Sequence, residues 1–145
     1  GDLDVNNPSS LNLNDLNIIK KEKYVEVLGH HKDVPKLYQS SHIVCLPSYR
    51  EGLPKSLIEA SAAYRAIVTT DVPGCRDAII SNKTGLLVPV RNSKRLADAF
   101  QWLIENPKER IAMGHAGRKF VEQEFSIEKV VLEHLNIYQE IIKKN

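Results

Sequence analysis

Apolar positions along the chain gather into short blocks separated by polar, helically periodic stretches. Blocks at 24–28, 42–46, 66–70 and 85–88 read as strands, and the stretches at 14–23, 34–40, 54–64 and 76–80 as helices. Residues 1–10, rich in Gly, Asp, Asn, Pro and Ser, read as loop. Strands alternating with helices at this spacing imply βαβ units and a parallel sheet, so the expected fold class is α/β. The run Ile43-Val44-Cys45-Leu46 is apolar at every position, as a strand covered on both faces must be. Beyond Pro89 the pattern becomes wholly helical. Ser93 suits the N-cap of a helix to about residue 105, with Leu96, Ala99, Phe100 and Leu103 on one face. Pro107 suits the first turn of the next helix. Ser126 caps a last amphipathic helix carrying Val130, Val131, Leu135, Tyr138, Ile141 and Ile142. Trp102 and Tyr138, at helical spacing among apolar neighbours, read as core.

Composition narrows the function classes. At 145 residues the chain fits one domain, and a net charge of +2 is too small to argue for nucleic acid or an acidic membrane surface. Lys20, Lys21 and Lys23, and again Lys143 and Lys144, sit at helix ends, where cations favour the dipole. Cys45 and Cys75 lack C-x-x-C spacing, which suggests neither a zinc site nor a disulfide framework, and a reducing cytoplasm fits both. No apolar run approaches the roughly 18 residues that cross a bilayer.

The chemistry concentrates in 47–60, Pro-Ser-Tyr-Arg-Glu-Gly-Leu-Pro-Lys-Ser-Leu-Ile-Glu-Ala, which joins a buried strand to a helix. In open α/β sheets ligands bind there, outside the carboxyl ends of the strands. Gly52 lets the backbone approach a ligand, and Pro54 suits the first helical position. Free N–H groups near Lys55, Ser56 and Leu57 would then face outward at the positive end of the helix dipole, a site for phosphate. Glu59 has only Ser56 and Ala63 beside it on its helical face, leaving room for a ligand hydroxyl, and Glu51 in the loop can accept from others. On the physics alone, a solvated helix glutamate and a dipole-favouring acid explain Glu59 and Glu51 equally well.

Glu51 and Glu59, with seven residues between them in the setting Pro-Ser-x-x-Glu-Gly-Leu-Pro-x-x-x-x-Glu-Ala, resemble the E-x7-E motif of glycosyltransferase family 4. The likeness continues through Leu28-Gly29 with Asp33-Val34-Pro35, the run 69–77, Gly85-Leu86-Leu87-Val88-Pro89, Met113-Gly114-x-Ala116-Gly117-Arg118, and the tail from Phe125-Ser126 to Tyr138. The version here is similar to enzymes that build bacterial capsule, lipopolysaccharide or lipid-linked oligosaccharide.

That resemblance implies the donor-binding, C-terminal half of a retaining enzyme with the two-domain GT-B fold. The whole of 1–145 would form part of one Rossmann-like domain, with C-terminal helices from about residue 93. It implies transfer of a sugar from a nucleotide-sugar, expected to be a UDP-sugar, to a growing saccharide or lipid-linked acceptor, without a metal or other cofactor. Glu51 would be the catalytic-side carboxylate at the donor sugar and Glu59 would hold the ribose. Gly52, Leu53, Pro54, Ser56 and Leu57 would line sugar and diphosphate, and the loop with Gly29 and His30 would border the base. Acceptor and membrane contact would fall to an N-terminal domain outside this chain, and the protein would work in the cytoplasm or at the inner membrane surface. A non-catalytic, nucleotide-sugar-binding subunit of a split enzyme and a vestigial chain are the alternatives, and the chain by itself is expected to be inactive and prone to associate.

Two positions depart from the family pattern. Tyr64-Arg65-Ala66 stands where the family has Gly, any residue, then Pro, and a Tyr held at the helix C-cap with φ > 0 costs about 1 kcal/mol. A relaxed turn is the expected escape from that cost. His42 opens a strand where the family often has Asp. Among the other histidines, the pair His30-His31 reads as a solvated loop pair that can also reach nucleotide, and His115 and His134 read as structural.

Overall fold

The computed structural model describes residues 12–144, which divide after Val34 into two units, each taken here by itself. In the first, α1 (Leu13–Lys21) starts where Asn12 and Asp15 form a capping box. The Asp15 amide donates to Asn12 Oδ1 at 2.9 Å, and the Asn12 amide to Asp15 Oδ2 at 3.3 Å, satisfying two helix-start donors at once. Lys20 and Lys21 fall in its last turn, as expected from the dipole.

Residues 24–28, expected as a strand, form none. The Val25 amide bonds back to Glu22 O in a turn, and Tyr24, Val25, Val27 and Leu28 are exposed. A strand exists only through its ladder, and no described strand pairs with this segment.

The second unit opens within the first turn of α2 (Val34–Ser40), followed by β1 (Ile43–Leu46), α3 (Lys55–Ala62), β2 (Ala66–Thr70), α4 (Pro73–Ala78) and β3 (Gly85–Val88). The helices α5 (Ser93–Glu105), α6 (Pro107–Glu124) and α7 (Ile127–Lys144) complete it. The three strands form a parallel sheet in the order β1-β2-β3, with Val44 opposite Ile67 and Val68 opposite Leu86. The α/β architecture read from the sequence is therefore the one observed.

Period-two alternation sends the side chains of this sheet into two cores. Ile67, with Val44, Leu46 and Leu87, packs against Leu57 and Ala60 of α3 and against Cys75 and Ala78 of α4. Ala66, Val68 and Val88, with Ile43, Cys45 and Leu86, pack on the opposite side against Leu103 and Met113 from α5 and α6. Both faces are covered, which is why β1 is apolar throughout and β2 buries every position, its two threonines included.

Several element ends differ from expectation for local reasons. The short helix expected at 76–80 is α4, which starts earlier because Pro73 sits at its first turn, and which ends where Ile79 turns extended. Asn92, not Ser93, caps α5, its Oδ1 accepting from the Arg95 amide at 3.0 Å. Trp102 and Tyr138, expected in the core, are 40% and 57% exposed. Helical spacing identifies which residues share a face, but not whether anything covers that face.

Tyr64 does not relax. Its φ is +61°, and the turn closes as a Schellman motif, with Arg65 N donating to Ala60 O and Tyr64 N to Ser61 O, both at 3.0 Å. Helix α6 locks this turn in place. Gly114 lies so close that a Cβ there would come within 2.2 Å of Tyr64 O, and Arg118 Nη1 donates to Ala62 O at 2.7 Å. The Tyr64 ring meets His115 edge-on at 5.2 Å between centroids and lies under Arg118 at 5.5 Å. Such ring contacts are each worth about 0.5–1.5 kcal/mol, comparable to the cost of the left-handed backbone.

Candidate functional site

The segment 47–54 leaves the carboxyl end of β1, and hydroxyls on β2 tether that exit. Thr69 Oγ1 donates to Leu46 O at 2.8 Å, and the Thr70 hydroxyl donates to Ser48 O. Both threonines are buried, so these bonds also satisfy groups that water does not reach. Within the loop, Ser48 Oγ donates to Glu51 Oε1 at 2.6 Å, which orients the Glu51 carboxylate.

Gly74, at the start of α4, holds the loop from the other side. A Cβ at this position would lie 1.7 Å from Gly52 O and 2.7 Å from Glu51 O. Only a residue without a side chain allows α4 to seat against the backbone of the loop. Gly74 lies within the run 69–77, but this role has no local signal in the sequence, because its partner Gly52 lies 22 positions away.

Helix α3 then begins. Pro54 is the N-cap rather than the first helical residue, and Leu57 N donates to Pro54 O at 3.1 Å. The free amide expected at Leu57 is therefore taken, and its fully buried side chain belongs to the core. The amides of Lys55 and Ser56 make no hydrogen bond to the described residues. Gly52 and Leu53 are exposed and Ser56 is half-buried, while Pro54 is buried.

Glu59 is exposed on α3, and Tyr38 of α2 donates its hydroxyl to Glu59 Oε2 at 3.4 Å. Burial raises the Tyr38 phenol above its usual range, and the neighbouring Glu59 charge and the bond to it raise it further. Tyr38 was not anticipated, since a contact spanning 21 residues has no local periodic signature.

Neither Glu51 nor Glu59 forms an ion pair among the described residues. Each accepts one bond from a neutral hydroxyl, which leaves most of a carboxylate's lone-pair capacity open to ligand hydroxyls. Beside the loop, a cavity of about 200 Å³ at the carboxyl ends of all three strands is lined by Pro47, Tyr49, Thr70, Val88 and Arg91, among others. The Arg91 guanidinium lies 5.5 Å from the Tyr49 ring centroid. Gly29, at φ +67°, and the exposed His30 belong to the first unit.

Other candidates are accounted for locally. Cys75 is buried in the core, and burial pushes the Cys45 thiol up to about 11, so Cys45 is not a ready thiolate. Among the described residues, no three His, Cys, Asp or Glu side chains converge to hold a metal ion. No described helix is long and apolar enough to cross a membrane.

Residues 15–120 match the family described as Glycosyl transferases group 1. The chain is 34% identical over 138 residues to the N,N'-diacetylbacillosaminyl-diphospho-undecaprenol alpha-1,3-N-acetylgalactosaminyltransferase of Campylobacter jejuni, covering 94% of this chain and 35% of that protein. It is 29% identical over 145 residues to the capsular polysaccharide biosynthesis glycosyltransferase CapM of Staphylococcus aureus, covering all of this chain and 38% of that one. A solved S. aureus TarM variant, in complex with Fondaparinux, alpha-GlcNAc-glycerol and UDP, superposes on it with a TM-score of 0.80. That match has 26% identity and covers 86% of this chain and 26% of that one. The chain thus spans little more than a third of the length of these two relatives.

Proposed function

Because the chain belongs to the group 1 glycosyl transferases, we propose that it forms the donor-nucleotide side of a retaining glycosyltransferase that moves a sugar from a UDP-sugar to a growing cell-surface saccharide. The observation that carries this reading is the pairing of two uncommitted carboxylates, Glu51 and Glu59, on either side of a helix start whose Lys55 and Ser56 amides have no protein acceptor. Diols and a diphosphate are the groups such a set is suited to take.

In this reading Glu59 accepts hydrogen bonds from the two ribose hydroxyls, with Tyr38 fixing one of its oxygens. Glu51, oriented by Ser48, faces the donor sugar. Gly52, Leu53 and Pro54 supply backbone along the sugar, and the start of α3 faces the diphosphate as charge builds on the leaving group. UDP is favoured because the similar TarM structure holds it. A polysaccharide or lipid-linked acceptor is favoured by the names of the two relatives. Transfer is proposed for a whole protein of the relatives' length, acting in the cytoplasm and reaching any membrane-bound acceptor through its other domain.

The test is a titration of UDP and several UDP-sugars onto the purified chain, followed by ligand-observed NMR beside Glu59→Ala. Removing a charged acceptor from a diol costs about tenfold or more in affinity. Saturable UDP binding that weakens by that amount supports the reading, and equal binding by both proteins removes Glu59 from it.

A further inference from the structure

The two side chains that depart from the family pattern, Tyr64 and His42, flank one cavity at the opposite end of the β1–α3 pair from Glu51. Together with Arg65, Arg110, Ile111 and His115 they line a cavity of about 280 Å³. Four of these six side chains carry or can acquire positive charge. None is a carboxylate, so nothing in the lining neutralises them.

Two arginines are held there by backbone rather than by acids. Arg65 donates from Nε to Ala63 O and from Nη1 to Ser41 O, both at 2.7 Å, and Arg110 donates from Nη1 to Leu103 O at 3.0 Å. Capping carbonyls is an ordinary use of part of each guanidinium. The remaining N–H groups have no acceptor among the described residues, and each guanidinium keeps its full charge while its position is fixed. His42 and His115 are both exposed, so the cavity is open to solvent. Its aromatic wall is Tyr64, kept at φ +61° where glycine would fit without strain. A bulky residue kept in that conformation with its ring edge-on to His115 is strain at a place where a site can use it.

We propose that this cavity binds a phosphate group, carried by a small phosphorylated metabolite or by a lipid headgroup, at a site separate from that of the sugar donor. Fixed guanidinium forks match phosphate oxygens, and the imidazoles add donors at the rim. The volume suits a phosphate with a small substituent.

The test follows the His42 and His115 imidazole and Tyr64 ring NMR signals during titration with inorganic phosphate, against sodium chloride at equal ionic strength. A second arm measures cosedimentation with phosphatidylcholine vesicles with and without phosphatidic acid. Saturable shifts with phosphate, or cosedimentation that requires phosphatidic acid, support the site and identify the source. Either response should weaken about tenfold in His115→Gln, a surface change, and in Tyr64→Gly, which suits the backbone there. Glu59→Ala should leave both unchanged, which separates this site from the donor reading. Shifts no larger than chloride produces together with no phosphatidic-acid-dependent sedimentation, or responses identical in both variants, would overturn it.

Discussion

Cys45 occupies the third position of β1 and packs between the sheet and the α5–α6 side. Burial disfavours its thiolate, raising the thiol from 9.0 to about 11. A thiol raised in this way contributes stability below pH 9, the value in the unfolded chain, and loses it as pH climbs through 11 in the folded one. The wild-type melting temperature should therefore fall more steeply between pH 9 and 11 than that of Cys45→Ala. The comparison rests on slopes, because the alanine also loses packing at every pH. Parallel slopes would show that the Cys45 thiol titrates alike in both states. Tyr64 gives the opposite lesson at this scale. The cost of a left-handed Tyr64 is legible in the sequence, but that the turn keeps it is not, because the contacts that offset it, His115 and Arg118, lie more than 50 positions away.

At the scale of elements, the motif loop depends on α4. An alanine Cβ at Gly74 would overlap Gly52 O, which a backbone atom can escape only by moving the loop. Gly74→Ala should destabilise the chain by about 1–3 kcal/mol and weaken UDP binding with it, which thermal melts and the ligand titration can check together. An unchanged melt would mean that α4 seats elsewhere. This contact also marks the limit of sequence reading. Helix 34–40 and strands 66–70 and 85–88 were found within their observed bounds, because buried parallel strands announce themselves by continuous apolar runs. The segment at 24–28 shows the same pattern without a ladder, since a pattern reports a strand's preference and not its partner. Glu51 and Glu59 stand out in the sequence through the family motif they resemble, while their chemistry alone does not single them out. Ser48 bonds Glu51 from within the loop, whereas Thr70 and Gly74 hold that loop from β2 and α4, and Tyr38 reaches Glu59 from α2, through contacts that only the fold creates.

For the whole molecule, the three-stranded sheet gives α3 a rigid seat, with Leu57 and Ala60 fully buried beneath it and Gly114 and Gly117 of α6 against its back. A helix start carried on such a base can present its amides without reorganising when a ligand arrives. On the donor reading, the helix start, the carboxylates and the carboxyl ends of the strands act as one site. The measurement that bears on this most directly is residue-resolved amide NMR of the chain during UDP titration. The Gly52, Lys55 and Ser56 amides should shift together along one saturating curve, with Glu59 and Tyr38 side-chain signals following the same curve. Saturable binding that leaves those amides unmoved and shifts residues elsewhere would contradict a donor site at Glu51 and Glu59.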